Sequence, residues 1–180
     1  SILLKRITTK QTKVQRKRPI LNSIFNRLIP FFNKHASSLF TDQDRIAISD
    51  AIAMAEKKTS GEVRVFVESK CRYLDATDRA AELFHQLEMD KTEARNGVLF
   101  YLAMRDHQLA VWGDKGIHEK LGATFWQLQI DKIIAAFHAA DHTRGICASI
   151  QEIGTALQAH FPYEGDKDKN ELSDQVVFGR

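Results

Sequence analysis

Hydrophobic positions recur along the chain with two different periods, and the switches between those periods predict the order of elements. Thr41 followed three residues later by Asp44 reads as a helix N-cap with a short variant of the capping box. Ala47, Ile48, Ala51, Ile52 and Ala55 then form an apolar stripe at helical spacing, which predicts a helix to about Lys58. Lys57 and Lys58 suit its C-terminal dipole, and Ser60 with Gly61 stops it. The segment EVRVFVES changes to a period of two, with Val63, Val65 and Val67 on one face of a strand. Asp75 or Thr77 can cap a second helix, whose Ala80, Leu83, Phe84 and Leu87 face inward and which ends near Asp90. After the polar loop KTEARN, GVLFYLAM is continuously apolar, as in a strand covered on both faces.

Arg105, Asp106 and His107 make a tight turn into QLAVWG, which predicts an antiparallel hairpin whose second arm closes at Gly113. Trp126, Ile130, Ile133, Ile134 and Phe137 mark one amphipathic helix; Ile146, Ile150, Ile153 and Leu157 mark another, with Gly154 allowing close packing. Pro162 ends the folded body, and QVVFGR reads as a short edge strand or a docking tag. The sequence of elements predicts an α/β domain layered around a small mixed sheet. A right-handed strand–helix–strand unit makes the first two strands parallel. The first two strands then start at one pole and the third ends there. Ser60 to Glu62, Glu93 to Gly97 and Gly113 to Gly116 should meet at that pole.

Charge divides the chain more sharply than its net value of +3 implies. Residues 1–35 carry nine Lys and Arg and no acid, leaving 17 bases against 23 acids in the remainder. The expected organisation is a basic tail over 1–37, a folded domain over 38–162 and a flexible polar tail over 163–180. Within the first tail, Ile20, Leu21, Ile24, Phe25, Leu28 and Ile29 lie at helical spacing beside Arg16, Lys17 and Arg18. That pattern suits docking on the domain itself or contact with an anionic membrane surface. No aromatic platform accompanies the charge, which argues against nucleic acid. No apolar run reaches the roughly 18 to 20 residues of a membrane helix, so the expectation is a soluble protein, cytoplasmic and at most peripheral to a membrane. Cys71 and Cys147 are too few for a disulfide framework.

The segments SGEVRVFVES, RNGVLFYLAMRDHQLAVWGDKGI and HTRGICASIQEIGTAL together resemble the TPM-domain family over residues 39–160. That family includes thylakoid-lumen phosphatase-like proteins, a photosystem II repair protein and a receptor modulator. The chain is most similar to a short bacterial branch with an acidic tail like DKDKNELSDQVVFG. The resemblance implies a three-layer α/β/α sandwich whose NG and glycine loops carry the characteristic positions, here Asn96, Gly97, Gly113 and Gly116. It also implies divalent-cation binding, and an acid phosphatase activity claimed for some members. Where many members have a glycine-aromatic-glycine loop, this chain reads Gly-Asp-Lys-Gly.

Ca²⁺ prefers carboxylate and carbonyl oxygens, and Mg²⁺ accepts fewer protein ligands and more water. The loop pole offers Glu62, Glu93, Asn96 and Asp114 as metal ligands. The bland alternative is that Asn96 satisfies turn amides and Asp114 caps a helix beginning near Lys115. A rival cluster at the opposite pole contains Glu68, Asp106 and Asp141, at strand carboxyl ends where open sheets often bind ligands. HAADH, from His138 to His142, superficially matches an inverted zinc motif, but it falls at an expected helix junction and lacks a third ligand. Two functions follow. One is a Ca²⁺- or Mg²⁺-binding accessory or interaction module acting on a protein partner. The other is a metal-dependent acid phosphatase acting on phosphate esters, with Asp114 or Glu93 as ligand or base and Lys115 or Arg95 facing the phosphate.

Overall fold

The computed structural model describes residues 40–71, 75–163, 165 and 176–179. The basic segment 1–37 and its apolar stripe lie outside the described residues, as does most of 163–180. Helix α1 spans Asp42–Glu56, strand β1 Val63–Glu68, helix α2 Ala76–Gln86, strand β2 Val98–Ala103 and strand β3 Gln108–Gly113. Helix α3 spans Lys115–His138, helix α4 His142–His160, and strand β4 Val177–Phe178.

Local chemistry accounts for the helix starts. Thr41 accepts from the Asp44 amide while Asp44 accepts from the Thr41 amide, so the expected capping box is formed. Asp75 caps α2 by accepting from the Thr77 amide. Helix α1 ends at Glu56, two residues before the sequence expectation, and Ala47 is exposed although the stripe placed it inward. Helix α2 ends at Gln86, short of the expected end near Asp90, and the chain enters a 3₁₀ turn over Met89–Lys91 through a left-handed Glu88, a detail without a sequence signal. Helix α3 covers both the start near Lys115 and the Trp126 stripe, interrupted at Gly122, where φ is 70° and ψ 169°. A side chain there is strained whatever the space around it, which explains why the break falls on glycine.

The sheet order is β3-β2-β1-β4. β1 and β2 are parallel with Val63 beside Val98, and β2 and β3 are antiparallel with Val98 beside Gly113. Val63, Val65 and Val67 pack with Phe100 and Val111 against Ile48 and Ile52 of α1, Trp126 and Ile130 of α3, and Ile150 and Ile153 of α4. The other face carries Leu99, Tyr101, Ala110 and Trp112 beneath Ala80, Leu83 and Phe84 of α2. The architecture is therefore a three-layer α/β/α sandwich, with three helices on one face and α2 on the other. Every residue of β2 is buried, as a strand between two layers requires. Each large apolar side chain buried this way stabilises the fold by about 1.5–3 kcal/mol relative to exposure.

Candidate functional site at the loop pole

The topology brings the three expected segments together. The Asp114 amide donates to the Gly97 carbonyl at 2.9 Å and the Ile117 amide donates to the Arg95 carbonyl at 3.3 Å, tying the start of α3 to the loop before β2. Asn96 Nδ2 donates to Ser60 Oγ at 3.3 Å, tying that loop to the segment before β1. Gly116 lies so close that a Cβ there would be 2.4 Å from the Ala94 carbonyl oxygen and 2.7 Å from that of Arg95. The glycine is therefore what lets the two backbones touch.

Asp114 is buried at the centre of this pole. Its carboxylate accepts from Arg95 Nε at 2.6 Å and Nη2 at 2.9 Å, and from the Lys115 amide at 2.7 Å. The two readings of Asp114 left open by the sequence therefore meet in one geometry: it caps α3, and it also forms a bidentate ion pair. Arg95 holds its position with a left-handed backbone, φ 53°, and its guanidinium is pushed above the ordinary arginine value mainly by the bond to Asp114. Sequence reasoning placed Arg95 opposite a phosphate and missed this partnership across 19 positions.

Of the other candidates, Asn96 and Glu62 are buried and Glu93 is exposed. The Glu62 carbonyl accepts from the Val98 amide at 2.7 Å. Asn96 Oδ1 is buried and has no hydrogen-bond partner among the described residues. His118, in the first turn of α3, is also buried with Nδ1 unpartnered there, and burial lowers its pKa. Nothing in the sequence singled His118 out. Oxygen donors of the kind a hard cation prefers are thus present at this pole, and one of them lacks a donor. Among the described residues, however, no group of three or more His, Cys, Asp and Glu side chains is arranged to hold a metal ion.

The rival residues at the opposite pole each have partners of their own. Glu68, fully buried on the α2 face, accepts from Arg79 Nε at 3.0 Å, Arg79 Nη2 at 3.1 Å and the Tyr101 hydroxyl at 2.6 Å. Arg79 also reaches Glu82 at 2.5 Å, and its pKa rises chiefly through the Glu68 bond. Asp106 is exposed in the hairpin turn and accepts from the Cys71 amide at 2.7 Å. Asp141 stands at the α3–α4 junction, facing Arg144 at 3.5 Å. His138 ends α3 and His142 starts α4, so the HAADH pair straddles that junction. Cys147 is half-buried beside the Ala47 carbonyl. No helix among the described residues is long and apolar enough to cross a membrane.

Comparison with known proteins bears on the whole arrangement. A family model described as the TPM domain matches residues 34–156. The solution structure of BA42 from Bizionia argentinensis superposes with a TM-score of 0.71 at 38% identity, over 78% of this chain and 95% of that one. The N-terminal domain of cg2496 from Corynebacterium glutamicum superposes at 0.54 with 14% identity, over 72% of this chain and 84% of that one, and shows likeness of fold. None of the curated proteins compared with the chain matches it. By its sequence over residues 34–156 and by its three layers, this chain belongs to the TPM domain family.

Proposed function

We propose that this TPM domain is a divalent-cation-binding accessory or interaction module, taking Ca²⁺ or Mg²⁺ at the loop pole. Asp114 and Asn96 are the central ligands, and the adjoining segments that carry Glu62 and Glu93 contribute backbone oxygens, since their carboxylates do not gather with that of Asp114 into a metal-holding group. The observation that carries this reading is Asn96 Oδ1, a buried acceptor without a donor among the described residues. Leaving such an atom unsatisfied costs about 1–3 kcal/mol, and a hard cation satisfies it. When bound, the cation supplies positive charge to an oxygen-lined surface between three loops. The chain itself holds those loops in register through the Asp114, Ile117 and Asn96 hydrogen bonds. Because Arg95 occupies the Asp114 carboxylate, cation and guanidinium compete for the same oxygens.

A backbone-amide NMR titration with CaCl₂ and with MgCl₂ tests this. Shifts are expected in residues 60–62, 93–97 and 113–118, lost in Asp114→Ala and several-fold tighter in Arg95→Gln, which removes the internal competitor. Shifts confined to the surroundings of Asp106 and Asp141 would sink the assignment.

The second reading is a metal-dependent acid phosphatase. It draws on the exposed Lys115 ammonium and the half-exposed Arg95 guanidinium at the start of α3, where helix amides favour anions. The module is preferred because the Asp114 carboxylate is already engaged and, among the described residues, none at the pole is paired with a base that would activate it as a nucleophile. Cation-dependent turnover of a simple phosphate ester, lost in Asp114→Ala and Glu93→Ala, would reverse that preference.

A further inference from the structure

Helix α1 is apolar on two sides, and the sandwich covers one of them. Ile48, Ala51, Ile52 and Ala55 are buried in the core. On the opposite side Ile46 and Met54 are each 60% exposed, and Ala47 is exposed between them. Asp50 is the only charged residue exposed between Gln43 and Met54, and it has no partner among the described residues. Leu128 and Tyr163, the other large apolar side chains exposed among the described residues, stand on α3 and beyond α4. A surface helix ordinarily turns polar and charged residues to water, whereas a helix apolar all round is covered all round.

The segment that leads into α1 fits this face, although it lies outside the described residues. Ile20, Ile24 and Leu28 repeat at the spacing of Ile46, Asp50 and Met54, so on helices the two rows are equal in length, about 12 Å each. Pro19 and Pro30 bound the run, because proline is tolerated where a helix starts and prevents its continuation. Rows at i, i+4 and i+8 are the ridges by which one helix packs on another. Arg27 is the only charge in residues 19–33 and flanks the apolar row, a lone counterpart to Asp50. The connection is long enough. Phe40 is buried in the core, and residues 31–39, which join it to Pro30, extend to about 30 Å, against about 22 Å for the whole of α1. Charge selects this occupant over a lipid surface: residues 1–35 hold nine bases and no acid, while the remainder holds 17 bases against 23 acids, which attracts the segment and repels anionic lipid.

We infer that the outward face of α1 is the seat of the chain's own residues 20–29, held there as a helix by the matching rows and by Arg27 on Asp50. The seat shares no residue with the proposed cation site, so it is tested in the presence of a chelator. Met54 reports its occupancy, because peroxide oxidises a methionine that solvent reaches and the other two methionines, Met89 and Met104, are buried. The full-length chain is treated with dilute hydrogen peroxide, and sulfoxide at each methionine is followed by peptide mass spectrometry. Met54 should be oxidised at least about fivefold faster in Ile24→Asp/Phe25→Asp than in wild type, since a tethered segment at high effective concentration keeps the seat filled. Met89 and Met104 should stay protected in both chains. Asp50→Arg should lose the protection of Met54, and its combination with Arg27→Asp should restore it. Should Ile24→Asp/Phe25→Asp expose Met89 or Met104, Leu28→Asp takes its place. Equal oxidation of Met54 in wild type and the segment variant overturns the inference, as does a reversed pair no better protected than Asp50→Arg alone. So does protection that vanishes on dilution, which assigns the seat to a second copy, or protection that appears only with phosphatidylglycerol vesicles, which assigns it to a membrane.

Discussion

Replacing Gly116 by alanine sets two effects of opposite sign on one residue. In a helix, Gly→Ala is ordinarily stabilising by up to about 1 kcal/mol, and Gly116 lies in the first turn of α3. Against this, the new Cβ would stand 2.4 Å from the Ala94 carbonyl oxygen and 2.7 Å from the Arg95 carbonyl oxygen. Ordinary contact begins near 3.4 Å, so the loop must retreat by about 1 Å. Both obstacles are backbone, and neither can rotate away. A retreat of that size lengthens the Ile117 to Arg95 bond, already 3.3 Å, beyond hydrogen-bond range and pulls Arg95 from Asp114. Overpacking costs about 1–3 kcal/mol and the lost bond about 1 kcal/mol. Setting the helix gain against these leaves a net destabilisation of about 2 kcal/mol, or a fall in Tm of about 8 °C for a domain of this size. Urea unfolding followed by circular dichroism measures it, with the NMR shifts of residues 93–97 reporting the retreat. A Gly116→Ala chain as stable as wild type, or more stable, would refute the claim that contact between these backbones holds the pole together.

Glu68→Ala leaves the buried Arg79 guanidinium and Tyr101 hydroxyl without their shared acceptor, and should cost about 3–5 kcal/mol in urea unfolding; a loss below about 1 kcal/mol would show the cluster to be well solvated. Burial lowers the pKa of His118, so the unfolded chain takes up its proton first. Its contribution is therefore present above the ordinary histidine value near 6.5 and is lost as pH falls through the lower folded value. The urea midpoint should drop between pH 7.5 and pH 5, with a shallower slope in His118→Gln; identical slopes would remove His118 from the account.

The fold was legible in the sequence to a useful depth because periodicity reports burial. The valines of β1 and the uninterrupted apolar run of β2 identified a sheet with covered faces, and the parallel crossover followed from the chirality of the chain. That reasoning correctly joined residues 60–62, 93–97 and 113–116 at one pole. The helix break at Gly122 and the left-handed turn at Glu88 were not visible, since a single glycine or an ordinary polar residue carries no periodic signal. The exposure of Ala47 was missed for a related reason: alanine fits either face of a helix, so its placement follows the packing of its neighbours.

By itself, the sequence determined which elements form and which loops share an end of the sheet. Those depend on local spacing, capping groups and handedness, all written within short windows. Only the tertiary structure decided which polar groups meet there. It gave the Asp114 carboxylate to Arg95 and the α3 amide, left Asn96 Oδ1 without a donor among the described residues, and set Glu68 against Arg79 of α2 while Asp141 fell at the α3–α4 junction. Such pairings depend on where side chains end after the core has packed, to within an ångström and across separations of 19 residues or more. Hydrophobic patterning constrains the core to that precision only indirectly, through the positions of the elements that carry the polar groups.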